Sequence, residues 1–251
     1  MSSLEKILGI ASGKGGVGKT TVAINLSAAM KEFGKNNVIV DADISNANLS
    51  VQLGFQYIPV TLQDVLSGNI NILQAIRIHP TGLRIIPASL SIDNVNVDIA
   101  SLRTHLEQLT EMVILDFPPG LRDDVRTLIG LCDEILVVTN PELTSITDAL
   151  KTIEVARKMK KIVVGIVLNR VRKDKYELTS SEVEDVCEIP VIARIPEDKN
   201  IRKANFNHMP VIYYKPYAPS SIEFLRLAAL LTGHRFKPPP FMRLRQIFSF
   251  M

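Results

Sequence analysis

Tryptophan is absent from the 251 residues, aromatic residues make up only 6%, and there are just two cysteines, Cys132 and Cys187. They lie far apart and form no C-x-x-C pair, which excludes a disulfide framework or a zinc ribbon and predicts a reducing compartment. The four histidines, His79, His105, His208 and His234, show no ligand spacing, so a metal cage of His or Cys is not expected. Long apolar runs are also missing. The longest, Ile162 to Leu168, falls far short of the roughly 18 residues that a spanning helix needs. The first residues lack a basic stretch followed by an apolar one, so neither a membrane span nor a secretory leader is expected. There is no Asn-Lys-x-Asp guanine reader, and no Ser/His/Asp or Cys/His arrangement suggests a covalent nucleophile.

What remains is the composition of a folded domain, 46% hydrophobic and 22% charged, with a net charge of +3. Four basic residues and no acidic one lie between Arg235 and Met251, so the basicity belongs to the carboxy-terminal tail.

Short apolar, β-branched runs alternate with segments of helical period, the pattern of a parallel sheet covered by helices. The strands are expected at Ile7 to Ala11, Val38 to Val40, Leu83 to Pro87, Met112 to Asp116, Glu134 to Thr139, Ile162 to Leu168 and Val191 to Ile195. Ala23, Leu26, Met30 and Phe33 mark one helix, and Ile146, Leu150, Ile153 and Val155 another. A third is expected from Ser220 to Leu231, stopped by Gly233. The predicted fold is α/β: a doubly wound, mostly parallel sheet of about seven or eight strands with helices on both faces. One domain is expected over residues 1–233, followed by a Pro-rich linker at 234–240 and a separate element at 241–251.

Directly after the first strand comes Ser12-Gly-Lys-Gly-Gly-Val-Gly-Lys-Thr-Thr. Gly13, Gly18, Lys19 and Thr20 satisfy G-x-x-x-x-G-K-[ST], the loop that cradles phosphates ahead of a helix. Gly13, Gly15 and Gly18 also satisfy the dinucleotide pattern G-x-G-x-x-G, with Asp41 near its acidic offset. Lys19 decides for a triphosphate. A pyrophosphate is held mainly by backbone amides, whereas a terminal γ group calls for a cation, and magnesium calls for the Thr20 hydroxyl.

Two apolar runs close on aspartates at the expected carboxyl edge of the sheet: Val38-Ile-Val-Asp-Ala-Asp, with Asp41 and Asp43, and Met112-Val-Ile-Leu-Asp, with Asp116. Such carboxylates hold magnesium and align the attacking water. Asp43 is expected to orient water and Asp116 to support the metal, with Asp41 behind them. Gly120, after two prolines, can bring its amide to a γ-phosphate without a Cβ in the way. Adenine is favoured, and the cofactors are expected to be ATP and Mg2+.

Lys14-Gly-Gly-Val-Gly-Lys-Thr-Thr resembles the deviant Walker A motif of the MinD and ParA ATPases, P-loop NTPases with an additional early lysine. The resemblance covers about residues 4 to 233. Val40-Asp-Ala-Asp-Ile-Ser-Asn-Ala-Asn-Leu looks like the family's switch I and Leu115-Asp-Phe-Pro-Pro-Gly like its switch II, with Phe117 and Pro119 bulkier than usual. Cys132 is not in the position of a cluster ligand and is expected in the core.

The resemblance implies that the loop amides of Gly13, Gly15, Gly16, Val17 and Gly18, with Lys19, Thr20 and Thr21, hold the phosphates. It further implies that Lys14 acts across an ATP-dependent homodimer, that Asn169 meets the adenine edge, and that Pro196 lies beside its face.

On a helical wheel, Phe241, Leu244, Ile247, Phe248 and Met251 share an arc opposite Arg245, Gln246 and Ser249. A helix of about 16 Å is too short to span a bilayer but suits an anionic membrane surface. The expectation is a MinD-like ATPase, cytoplasmic and peripheral on the inner face of the cell membrane, released on hydrolysis and served by a protein activator. Positioning of a division site or another structure is the implied role. The alternatives are a DNA partitioner using Arg157, Lys158, Lys160, Lys161, Arg170, Arg172, Lys173 and Lys175, a flagellar-number regulator, and a carboxylase-like synthetase.

Overall fold

A computed structural model describes residues 4–68, 70–91 and 97–238; the tail segment 241–251 lies outside them. The strands are β1 (Ile7–Ala11), β2 (Asn37–Asp41), β3 (Arg77–Ile78), β4 (Arg84–Ile86), β5 (Met112–Asp116), β6 (Glu134–Thr139), β7 (Ile162–Val171) and β8 (Val191–Pro196). They form one sheet in the order β3-β4-β2-β5-β1-β6-β7-β8, parallel except for the β3–β4 pair. The seven expected strands are all present. The eighth, β3, is a two-residue edge strand too short to leave a periodic signal.

The helices are α1 (Lys19–Glu32), α2 (Leu49–Gln52), α3 (Leu62–Leu66), α4 (Ile72–Ala75), α5 (Leu102–Leu106), α6 (Asp123–Leu131), α7 (Leu143–Lys158), α8 (Ser180–Cys187), α9 (Lys199–Phe206), α10 (Val211–Tyr214) and α11 (Pro219–Leu231). Among the described residues, none is long and apolar enough to cross a membrane.

Strand residues alternate between two cores because successive side chains leave opposite faces of the sheet. Ile7 and Ala11 pack with Leu62, Leu128, Ile146 and Ile153 on one side. Leu8 and Ile10 pack with Val22, Leu26, Leu227 and Phe224 on the other. Gly9 lies between them with no side chain, because a Cβ there would come within 2.7 Å of Phe117 and 2.8 Å of Cys132. Phe117 therefore fills core space beside the buried Cys132 while also lining the cavity at the carboxyl edge of the sheet. In α7 the buried stripe is Ile146, Ala149, Ile153 and Ala156, with Leu150 and Val155 at its margin.

At the carboxyl end of α11 the chain does not leave the domain at Gly233. The His234 ring stacks on Phe33 at 5.3 Å, and Phe236 meets the same ring edge-on at 6.3 Å. Packing therefore continues into the expected linker.

Candidate nucleotide site

The sheet places β1 between β5 and β6, so the loop after β1 opens at the centre of the carboxyl edge, where the strand order reverses and ligands bind in such folds. Three of the four glycines in the loop are required by the backbone or its neighbours. Gly16 and Gly18 hold φ of 79° and 97°, the left-handed region that a side chain strains. Gly13 allows close approach: a Cβ there would lie 2.1 Å from the Asp148 carbonyl oxygen of α7. Gly15 has ordinary room.

Ser12 organises the base of the loop. Its hydroxyl accepts a hydrogen bond from Lys19 Nζ at 2.9 Å and donates to the Lys14 carbonyl at 2.9 Å. Its own carbonyl accepts the Gly120 N–H at 3.1 Å. The Gly120 amide, expected to face a γ-phosphate, is therefore committed to the phosphate loop in this structure, at a φ of 86° that suits glycine.

Asp41, Asp43 and Asp116 are all buried at the strand ends, as is Lys19. Burial lowers the Lys19 pKa, opposed by the carboxylates of Asp116 and Asp43. Burial raises Asp43, opposed by the Asn46 amide and the Lys19 charge. Asp41 is pushed well up by burial and by Asp116. Asp116 is raised to about 7, chiefly by burial, despite its hydrogen bond with the Thr20 side chain and the charge of Lys19. Its Oδ1 has no hydrogen-bond partner.

A buried carboxylate oxygen without a partner is costly unless the site is completed by something else. Thr20, Asp43 and Asp116 carry hard oxygen donors of the kind that bind magnesium and its waters. The donor set fits that ion.

Two cavities meet here. One of 370 Å3 is lined by Gly16, Gly18, Lys19, Thr20, Asp43 and Pro119, among others; of the expected phosphate and metal residues, Gly13, Gly15, Val17, Asp116 and Gly120 are not in its lining. The second, of 450 Å3, is lined by Gly18, Thr21, Asn169, Pro196, Arg202 and Asn205 and holds both expected adenine contacts. Gly18, Thr21, Arg170 and Asn205 belong to both. The Asn169 amide nitrogen donates one N–H to the Val17 carbonyl at 2.7 Å, which leaves its carbonyl oxygen and its second N–H for a base. Asn140 braces it, donating to the Asn169 backbone carbonyl at 2.9 Å.

Lys14 is not in either cavity lining; its half-exposed ammonium lies 3.9 Å from Glu142. Arg170 was legible in the sequence only as one charge of a basic run. In the structure it takes φ of 57° near the end of β7, a strained conformation of the kind that gathers at functional sites. No sequence signal marks it.

The chain belongs to the CobQ/CobB/MinD/ParA nucleotide-binding domain family, whose pattern it matches over residues 8–211. An ATP-binding protein of Methanocaldococcus jannaschii is 37% identical over 234 residues, covering 92% of this chain and 89% of that one. The cell division ATPase MinD of Pyrococcus furiosus superposes with a TM-score of 0.86 at 34% identity, covering 93% of this chain and 99% of that one. MinD of Pyrococcus horikoshii, solved with Mg-ADP, gives 0.85 at 33% identity over 90% and 95%. The MinD/ParA family fold, a P-loop nucleotide-binding sheet of eight strands, is thereby shown for this chain.

The alternative basic surface does not form one patch. Arg157 to Lys161 precede β7 and Arg170 to Lys175 end or follow it, so about 30 Å of strand separates them. Arg157 is paired with Glu188, Arg172 with Glu197, and Lys161 donates to the Cys132 carbonyl.

Proposed function

We propose that this protein is a MinD-like, magnesium-dependent ATPase that dimerises on ATP, holds a membrane through residues 241–251 and is released on hydrolysis. The observation that carries the chemistry is the buried set of Lys19, Asp43 and Asp116 beside the partly buried Thr20, with one Asp116 oxygen unpartnered. Lys19 and the loop amides of residues 13–18 hold the β- and γ-phosphates, and Thr21 and Gly18 sit where the phosphate and base cavities join. Asn169 offers its carbonyl oxygen to the adenine edge and Pro196 packs at its face. When bound, magnesium would screen phosphate charge, held by Thr20 and, through water, by Asp116. Asp43 orients the attacking water.

Lys14 points away from its own phosphate cavity toward Glu142, the disposition of a cation that acts on a partner copy. The membrane reading rests on the amphipathic, cationic pattern of the tail. The preceding residues His234 and Phe236 pack on Phe33, which follows α1 about 21 Å of helix from Lys19.

The test is sedimentation with anionic liposomes in ATP and in ADP, for the full chain and for a chain lacking residues 239–251. ATP-dependent binding of the full chain and its loss on truncation, with nucleotide affinity intact, is the expected result. Equal binding by both chains defeats the membrane assignment, and retention on DNA instead of liposomes would favour a partitioning role.

A further inference from the structure

Asp41 is a buried carboxylate to which the phosphate chemistry gives no task. It ends β2, is 1% exposed, and is the register partner of Asp116 on β5. Its hydrogen-bond partners are all backbone amides of one segment. Oδ1 accepts the Asp43 N–H at 3.3 Å, and Oδ2 accepts those of Asn48 at 3.2 Å and Leu49 at 3.1 Å.

Asn48 precedes α2, and its own side chain makes no capping bond there. A helix of four residues cannot support itself in isolation. The amides at its start are satisfied instead by a carboxyl group seven and eight positions upstream. Residues 43–49 thus form a loop closed at both ends on one side chain. That loop carries Asp43, whose Oδ1 is fixed in turn by the Asn46 N–H at 3.1 Å, and its Asn46 and Asn48 line the phosphate cavity. Below it, the Ala42 N–H donates to the Asp116 carbonyl at 2.9 Å, which locks the same strand end to β5.

We propose that Asp41 is a positioning residue for hydrolysis: its carboxyl group holds segment 43–49 in the conformation that presents Asp43 to the nucleotide, in register with the strand end that bears Asp116. The kinetic consequence rests on the ATPase reading above; the structural one does not. Lys19 and the loop amides hold phosphate without touching Asp41, so its loss separates turnover from binding. Misplacement of a reacting geometry by a fraction of an ångström costs rate rather than affinity.

The experiment compares full-length wild type, Asp41→Ala and Asp41→Asn by amide exchange of the nucleotide-free protein, by binding of a fluorescent ADP analogue, and by ATP turnover. In Asp41→Ala, exchange over 43–52 should rise about tenfold or more, with α1 and α11 unchanged. Its kcat should fall at least about tenfold while KM stays within about threefold. Asp41→Asn keeps one acceptor oxygen and should fall between. Unchanged exchange over 43–52, unchanged kcat, an Asn variant no better than Ala, or joint loss of binding and protection throughout the chain would each overturn the proposal. Absence of turnover in the wild type defeats the ATPase reading alone, and the exchange comparison still decides whether Asp41 holds the segment.

Discussion

Asp116 shows how a site built for a charged ligand weakens its own scaffold. Burial raises its pKa from 3.8 to about 7, so between those values the folded chain binds a proton that the unfolded chain has released. Stability must then fall as pH rises through that window, since it falls wherever the native state holds more protons. The ceiling on this penalty is on the order of 4 kcal/mol, at about 1.4 kcal/mol for each pH unit that the window spans. Asp116→Asn removes the titrating group. In magnesium-free buffer without nucleotide, the variant should be more resistant to urea than wild type at pH 8, with the difference shrinking toward pH 5. A variant less stable than wild type at pH 8 would show that the carboxylate contributes to the fold itself.

The elements around the cleft explain what sequence patterns can and cannot carry. Apolar runs closing on Asp41 and Asp116 marked two strand ends, because a buried parallel strand must be apolar until it reaches the ligand edge. The two residues of β3 gave no such run. Gly13 was legible as part of a phosphate motif, yet its tightest constraint is the Asp148 carbonyl of α7, a contact between segments more than a hundred residues apart that no local pattern encodes. Likewise the sequence suggested an Asn169 free for a base, and only the fold brings its amide nitrogen to Val17.

The contrast between two glycines is testable at this scale. An alanine at Gly13 must displace α7, and overpacking of that kind costs about 1–3 kcal/mol. For a chain of this size that corresponds to a melting temperature lower by roughly 2–10 °C. Gly15→Ala meets its nearest atom, Pro119 Cβ, at 3.7 Å and should melt within about 1–2 °C of wild type. Thermal melts of the nucleotide-free proteins check this, and equal melting of the two variants would mean that α7 yields without cost.

In the whole molecule, α1 runs from the nucleotide cleft to the packing site of residues 234–236. Its first residue, Lys19, faces the phosphate cavity, and Phe33, just past its last, receives His234 and Phe236. On the membrane reading proposed above, one short amphipathic tail would give little retention, whereas two joined through a dimer would gain about 10²- to 10⁴-fold in avidity if both reach the surface. Dimerisation and membrane contact should then be separable by substitutions at opposite ends. Lys14→Ala spares the cavity linings and the tail, so it should bind nucleotide within about threefold of wild type. It should nonetheless remain monomeric in ATP by light scattering and lose ATP-dependent liposome binding. The chain lacking residues 239–251 should do the reverse, forming the ATP dimer without sedimenting with vesicles. If Lys14→Ala still sediments in an ATP-dependent manner, the tail responds to nucleotide within a single copy, and the route runs along α1 to Phe33 rather than across a dimer.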